Sequence, residues 1–356
     1  MKSDLSYLLR KPVSWLAPAS PEDDIIISSR IRLARNLNNM PFPVSGEKTC
    51  LQNVCRLCLE ALNRTEAIAD PMEIDYRTLD SLERQLLLER RLISREFVKD
   101  SIEPAFIAEK DESVSIMINE EDHLRIQAFS PGLNLPELWD KVNRIDDSLS
   151  GELDFAFDKK FGYLTASPSN LGTGMCASVM LHLPAMTLAG KMNSVIQGIS
   201  KLGMSVRGFY GKSTLYTGSL YQISNQSTLG ESEEQILFRL NGLVRQVIRH
   251  EKEARSYFLS QKRDFILDHV GRAYGMLRYC YQISSKEALD SLSALRLGVD
   301  LGMFSSVDIN AVNHLFLLVQ PAHLIYHAGR ELEKDGRNSE RAKIIREMLK
   351  DLREQL

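Results

Sequence analysis

The sequence predicts an α/β (α+β) domain with a mainly antiparallel sheet flanked by helices, followed by an all-α C-terminal domain. Three observations lead there. Residues 113–129 place apolar residues in alternation on both sides of an acidic bend, I-N-E-E-D-H-L-R-I-Q, so one strand enters and another leaves. Residues 25–36 run I-I-I-S-S-R-I-R-L-A-R-N, a second period-two stretch. Beyond about Glu253 the strand signals vanish and helical patterns follow one another. At 356 residues the chain is long enough for about two domains. The predicted division is an N-terminal segment 1–24, an α/β domain 25–255 and a helical domain 256–356.

Residues 1–24 are rich in proline and polar side chains and predict a loosely docked terminus. Apolar periodicity predicts helices over 46–63 and 79–98. Residues 134–149 open with Leu135, Pro136 and an early Glu137, which predicts another helix. A strand pair is expected around 155–165, then a turn at 167–174, S-P-S-N-L-G-T-G, before an apolar run at 175–188 that reads as helix-like. Further along, 195–202 reads as helix, 206–221 as strand interrupted by Gly211 and Gly218, and 231–253 as a long helix. The C-terminal helices are predicted at 257–282, 285–298, 307–319, 321–333 and 337–356, with Ser284 and Ser285 supplying an N-cap.

The chain is 44% apolar with a net charge of -3, so a sizeable core is possible and no global field favours nucleic acid. No run of about 18 apolar residues occurs, and the start has no signal-peptide pattern, which predicts a soluble cytoplasmic protein without membrane attachment. Cys55 and Cys58 form a C-x-x-C, but Leu51, Val54, Leu59 and Leu62 surround them at helical spacing and no second ligand pair follows. Core thiols are the better reading, and no metal site is predicted.

Three stretches carry chemistry. Three adjacent carboxylates, Glu120 to Asp122, cost several kcal/mol each if buried unpaired, so they are either solvated at a hairpin tip or matched by cations in a cleft. Period two puts Arg30 and Arg32 on one strand face, a fork suited to polyphosphate oxygens, with Ile31 and Leu33 turned away. The turn at 167–174 can aim backbone N–H groups at an anion, although it lacks the Walker pattern. Each alone also fits an ordinary polar turn or a solvated basic edge.

Together they resemble the phosphagen kinase superfamily, the ATP:guanidino phosphotransferases, and most closely the bacterial protein-arginine kinases. The resemblance runs through S-R-I-R at 29–32, N-E-E-D-H-L-R-I at 119–126, P-S-N-L-G-T-G-M at 168–175, A-S-V-M-L-H-L-P-A at 177–185, R-G-F-Y-G at 207–211 and Q-I-S-N-Q-S-T-L-G at 222–230. It implies transfer of the ATP γ-phosphoryl group to arginine side chains of proteins, with Mg2+ on the nucleotide. It makes Glu121 the carboxylate that grips the guanidinium and acts as base. The nucleotide-binding positions it implies are Ser28, Ser29, Arg30, Ile31 and Arg32, then Arg125, then Cys176, Ala177, Ser178, Val179 and Met180, and finally Arg207, Gly208, Phe209, Tyr210, Gly211 and Lys212.

The departures from the family pattern cluster on the chemistry. Protein-arginine kinases carry an arginine in M-R-A-S-V where this chain has Cys176. A phosphate-clamping arginine is worth about 10³ to 10⁵ in rate, judging from arginine fingers. They carry a glutamate after R-G-x-Y-G, where Lys212 stands; at an effective dielectric near 20, a lysine about 4 Å from a guanidinium is repelled by roughly 4 kcal/mol. Ser167 replaces a cysteine, and Arg91 replaces a histidine whose role is not carried over. Three readings stay open: an active kinase, a slow one, or a non-catalytic adaptor that binds nucleotide or phosphoarginine.

Arg337, Asn338, Arg341 and Ala342 resemble the family's R-D-x-x-R-A motif, which forms an allosteric phosphoarginine pocket, with Asn338 in place of the acid. The resemblance further implies a homodimer through the helical domain, a zinc-finger activator protein, and a link to Clp-type proteolysis or stress regulation.

Overall fold

The computed structural model describes residues 5, 8, 11–17, 24–72, 74–208, 217–304 and 307–350. Seven strands form one sheet in the order β2-β3-β4-β1-β7-β9-β8, every neighbouring pair antiparallel. They are β1 (Ile26–Arg35), β2 (Ala105–Ala108), β3 (Val114–Ile118), β4 (Leu124–Pro131), β7 (Met175–His182), β8 (Met204–Gly208) and β9 (Leu220–Asn225). A separate two-stranded ribbon pairs β5 (Phe157–Asp158) with β6 (Gly162–Tyr163).

The helices, in chain order, are α1 (Lys48–Thr65), α2 (Ser81–Glu89), α3 (Arg95–Asp100), α4 (Leu135–Ser150), α5 (Pro184–Leu188), α6 (Met192–Lys201) and α7 (Glu233–Gln261). They continue with α8 (Arg263–Tyr279), α9 (Ser285–Asp300), α10 (Ile309–Leu318), α11 (Pro321–Ala328) and α12 (Lys334–Met348). The predicted cap of α9 is present as a full capping box between Ser284 and Glu287.

Strand parity divides the sheet into two chemically different faces. Odd-numbered β1 residues look toward α4: Arg35 makes a buried bidentate pair with Asp146, and Ser29 Oγ bonds Gly132 O and receives Asn134 N at the start of that helix. Ile31, Leu33, Ile126, Ala128, Ala177 and Val179 line this face and are fully buried. The even-numbered β1 residues, Ser28, Arg30 and Arg32, present the other face.

Several expectations change. The run 175–188 is not one helix: 175–182 is the strand β7 beside β1, and only 184–188 is helical. This central strand is buried along nearly its whole length and loses the alternation of burial that marks a half-exposed one. The helix expected over 79–98 is two, α2 and α3, separated by a turn in which Arg91 takes a φ of 65°. The N-terminal segment is not loose at its described positions: Leu5, Leu8, Val13 and Trp15 are buried, and Trp15 stacks on Phe129. Helix α7 runs on through residue 255 to Gln261. Of the C-x-x-C pair, Cys58 is fully buried, and burial pushes its thiol up to about 12.

Candidate active site

The even-numbered face of β1 continues across its neighbours as a polar band. Cross-strand pairing sets Arg32 between Gln127 on β4 and Cys176 on β7, and Arg30 between Phe129 and Ser178. One step along β4, Arg125 lies opposite Ala34 and so shares the face of Arg32. Ser178 pairs with Ser224, and Met180 with Gln222, which pairs in turn with Arg207 on β8. Arg207 is exposed and three strands from β1, about 14 Å at ordinary strand spacing.

The acid cluster occupies the turn between β3 and β4, where strand alternation no longer applies. Unbroken strand alternation would put Glu121 alone on the side of Arg125; in the turn Glu120 and Glu121 both reach it. Glu120 is buried and accepts from Arg125 Nη1 at 2.7 Å, and it is also bonded by Ser94 Oγ and by the backbone N–H of Glu121. Glu121 is half-exposed and reaches Arg125 Nη2 at 3.5 Å. Burial raises its carboxyl above the usual range, Arg125 opposes, and the neighbouring acids Asp122 and Glu120 add to the rise. Asp122 turns away: its Oδ1 accepts from Asn36 Nδ2 and from Ala166 N, both at 2.7 Å, which clasps the approach to the 167–174 turn against the end of β1. His123 Nδ1 accepts from Leu37 N and Nε2 donates to Pro41 O, so the ring is a neutral structural member, its pKa lowered by burial.

The turn itself is fastened by backbone. Ala34 N donates to Gly174 O at 2.9 Å, and Arg35 Nη1 donates to Thr173 O while its guanidinium lies over Tyr163. Gly174 has φ 67°, and a Cβ there would stand 2.6 Å from Ala34 O.

The cations are crowded. Burial and then Arg32, Arg91 and Arg125 push the pKa of Arg30 well down. The Nε atoms of Arg30 and Arg32 are buried without a hydrogen-bond partner. For Arg32 burial pulls down, but the Cys176 sulfur, which accepts from Nη2 at 3.2 Å, together with the carboxylates of Glu120 and Glu96 prevails and the pKa is raised. Cys176 itself is held down: burial opposes, and Arg32, Arg30 and Arg125 together prevail.

Of the sequence-predicted nucleotide positions, Ser28, Arg30, Arg32, Arg125, Cys176, Ser178 and Met180 share the polar face. Ser29, Ile31, Ala177 and Val179 do not: they point into the core, because a contiguous motif on a strand always divides between two faces. Arg207 and Gly208 end β8, and Phe209, Tyr210, Gly211 and Lys212 lie outside the described residues.

Sequence reasoning missed Arg91 and Gln222. Gln127 Nε2 bonds the carbonyls of Arg91 and Leu92, and this turn delivers the Arg91 side chain to Gln222 Oε1 at 3.2 Å. The two residues line a cleft with Ser28, Arg30, Phe129, Ser178 and Met180. Period two in Q-I-S-N already placed Gln222 and Ser224 on one face; nothing local marked the turn at Arg91. A roomier cavity of about 370 Å³, lined by Thr187, Ser219, His269, Lys286 and Asp290, lies apart from this face and holds none of the arginines.

In the helical region, Arg341 is buried and spends Nε on Val319 O and Nη1 on Ile283 O and Asn338 Oδ1. Burial first and Arg337 second lower its pKa to about 10. Arg337 Nη1 bonds Leu332 O, and Ala342 is fully buried.

Comparisons with known proteins bear on the family of the chain. The family model described as ATP:guanido phosphotransferase, C-terminal catalytic domain, matches residues 53–254, and that described as protein-arginine kinase McsB C-terminal domain matches 263–356. A protein-arginine kinase of Halothermothrix orenii is 43% identical over 349 residues, 97% of this chain and 99% of that protein. One of Pelotomaculum thermopropionicum is 45% identical over 93% of this chain and 94% of its own length. Among solved structures, lombricine kinase superposes with a TM-score of 0.59 at 22% identity, covering 72% of each chain. The duplicated taurocyamine kinase of Schistosoma mansoni superposes at 0.57 and 24% identity, covering 69% of this chain and 35% of the other. The antiparallel sheet, the arginine band on one face of it and relatives matched over nearly their full length place this chain in the protein-arginine kinase family, within the ATP:guanido phosphotransferases.

Proposed function

We propose that the protein transfers the γ-phosphoryl group of ATP to arginine side chains of proteins. The observation that carries this reading is the polar face on which Arg30, Arg32 and Arg125 stand together with Glu121. Two buried Nε atoms there lack an acceptor, and the neighbouring guanidiniums help push the pKa of Arg30 down, so the face is short of negative charge. A triphosphate fits that deficit, and Arg30 and Arg32 hold it in place as fixed, always-charged donors. Magnesium, carried on the nucleotide, supplies further neutralisation of phosphate charge.

Glu121 has the properties of the base. It is half-exposed, so a substrate guanidinium can reach it, and its raised pKa makes it a stronger proton acceptor than an ordinary carboxylate. It orients the guanidinium and takes the proton lost as the P–N bond forms and the terminal P–O bond breaks. Glu120 keeps Arg125 extended on the face. The same arrangement supports a slow enzyme: Cys176 contributes no fork to the phosphates and occupies one donor of Arg32.

We further infer that residues 25–255 work as the catalytic unit and 256–356 as the regulatory one, with Arg337, Asn338, Arg341 and Ala342 as a phosphoryl pocket. The commitment of Arg341 to three oxygens leaves Arg337 the more available cation there. A homodimer, a zinc-finger activator and delivery of marked proteins to a Clp-type protease complete the reading.

Incubation with ATP, magnesium and an arginine-rich protein, followed by detection of acid-labile phosphoarginine, tests the activity. Phosphoarginine is expected, with calorimetric binding of ATP at millimolar concentration or below. Binding without phosphoarginine would leave an adaptor; no binding would remove the nucleotide site.

A further inference from the structure

Five cysteines are present, and the structure treats one differently. Cys50, Cys55 and Cys58 lie on α1 and Cys280 follows α8. Burial raises the thiols of Cys55, Cys58 and Cys280 above the ordinary value. Cys176 stands on β7 as the direct cross-strand neighbour of Arg32, which donates Nη2 to its sulfur at 3.2 Å. The next pair along the same two strands is Arg30 with Ser178. The acids of the site, Glu120 and Glu121, both engage Arg125. Arg32 thus takes the sulfur as its acceptor, while the buried Nε atoms of Arg30 and Arg32 stay without one. Cys176, Arg30 and Arg32 are all half-buried, which leaves a path for a small reagent that fully buried Cys58 lacks.

We propose that Cys176 is a thiolate nucleophile held by Arg32 and Arg30, and that hydroperoxides oxidise it to a sulfenate that turns phosphoryl transfer off. The thiolate follows from the geometry alone; the switch rests on the placement of the triphosphate on this face. In the step, the sulfur attacks one oxygen of the peroxide, an S–O bond forms and the O–O bond breaks. Sulfur gives up two electrons, and the departing hydroxide or alkoxide takes a proton and leaves as water or alcohol. The sulfenate keeps the negative charge and extends it by one oxygen toward Arg32, where it competes with phosphate for the same donors. A small thiol reverses the change: it attacks the sulfenic acid to give a mixed disulfide and water, and a second thiol frees Cys176.

The test is alkylation of the full-length protein by iodoacetamide across a pH series, mapped residue by residue by mass spectrometry. At about pH 6, Cys176 should be labelled at least about tenfold faster than Cys55 or Cys280, because only the thiolate reacts. Arg32→Gln should slow that labelling about tenfold by removing the donor; if that variant does not fold, Arg30→Gln should slow it by a smaller factor. A brief hydrogen peroxide pulse followed by dimedone should tag Cys176, and phosphoarginine formation should fall and return with dithiothreitol. The activity left in Cys176→Ser, whatever its level, should not respond to peroxide. An alkaline labelling midpoint matching that of Cys55 would overturn the thiolate. Equal peroxide inactivation of Cys176→Ser would overturn the switch. Rapid labelling that ATP with magnesium does not slow would uphold the thiolate and count against the nucleotide placement instead.

Discussion

Glu120 and Glu121 reach one guanidinium from adjacent positions in a turn, and their surroundings give them different work. Glu120 is buried against Arg125 and Ser94, so Glu120→Ala leaves a buried cation only its longer contact with Glu121 and should cost up to about 3–5 kcal/mol of stability, read as a fall in melting temperature. Glu121 is open to substrate, so Glu121→Gln should keep the fold and lose about 10² to 10⁴ in phosphoarginine formation, the range of a general base. Equal yields from Glu121→Gln and the parent would take Glu121 out of the chemistry. The arginine fork at Arg30 and Arg32 was legible because parity on an unbroken strand needs only the sequence. The roles of the acids were not, because a turn has no period. At Cys176, an arginine would add a fork opposite Arg32. Cys176→Arg should raise turnover, and Cys176→Arg with Lys212→Glu should raise it more than either change alone, measured as initial rates of phosphoarginine formation.

The elements that aim these side chains depend on a few backbone positions. The turn at 167–174 returns to the sheet through Gly174, whose positive φ and contact with Ala34 leave no space for a side chain. Gly174→Ala should therefore destabilise the protein by about 1–3 kcal/mol through strain and lost contact with β1, seen in denaturant midpoint at unchanged slope. The strand β7 was read as helix-like from its composition because both of its faces are covered; only its partners on either side reveal it. The break between α2 and α3 was hidden for another reason. Arg91 adopts a backbone conformation that sequence reading reserves for glycine, and it is stabilised from a distance by Gln127, 36 positions away.

Across the whole molecule, histidines with lowered pKa values bear on the response to acid. His182, His314 and His323 all have lowered pKa values, chiefly by burial, His314 to about 4. Each binds a proton more readily unfolded than folded, so the stability they contribute is present above the ordinary imidazole value of about 6.5 and is lost as pH falls below it. Asp300, raised to about 6 by burial, works the other way, since it favours the folded state as pH falls from 6 toward 4. The histidines predict a loss of stability between about pH 6.5 and pH 4, measurable as a falling melting temperature, with raised carboxyls such as Asp300 moderating the slope. The change from sheet to helices was legible in the sequence, since loss of period two after Glu253 is a long-range signal. What the sequence did not show is how the parts are joined.

They are joined by α7, 29 residues and about 43 Å of continuous helix. Near its far end Glu251 accepts from the backbone N–H groups of Ala185 and Met186 at the start of α5. Arg255, one turn on, pairs with Glu251, with Asp24 just before β1, and with Asp300 at the end of α9. Such a member is built as a shared axle and not as a tether: its ion pairs fasten the C-terminal helices to the root of β1, the strand that carries Arg30 and Arg32. Calorimetry of the full chain should show one unfolding transition and not two, and a chain ended at residue 255 should be less stable than one ended at 262, because only the shorter cut removes Phe258 from its packing.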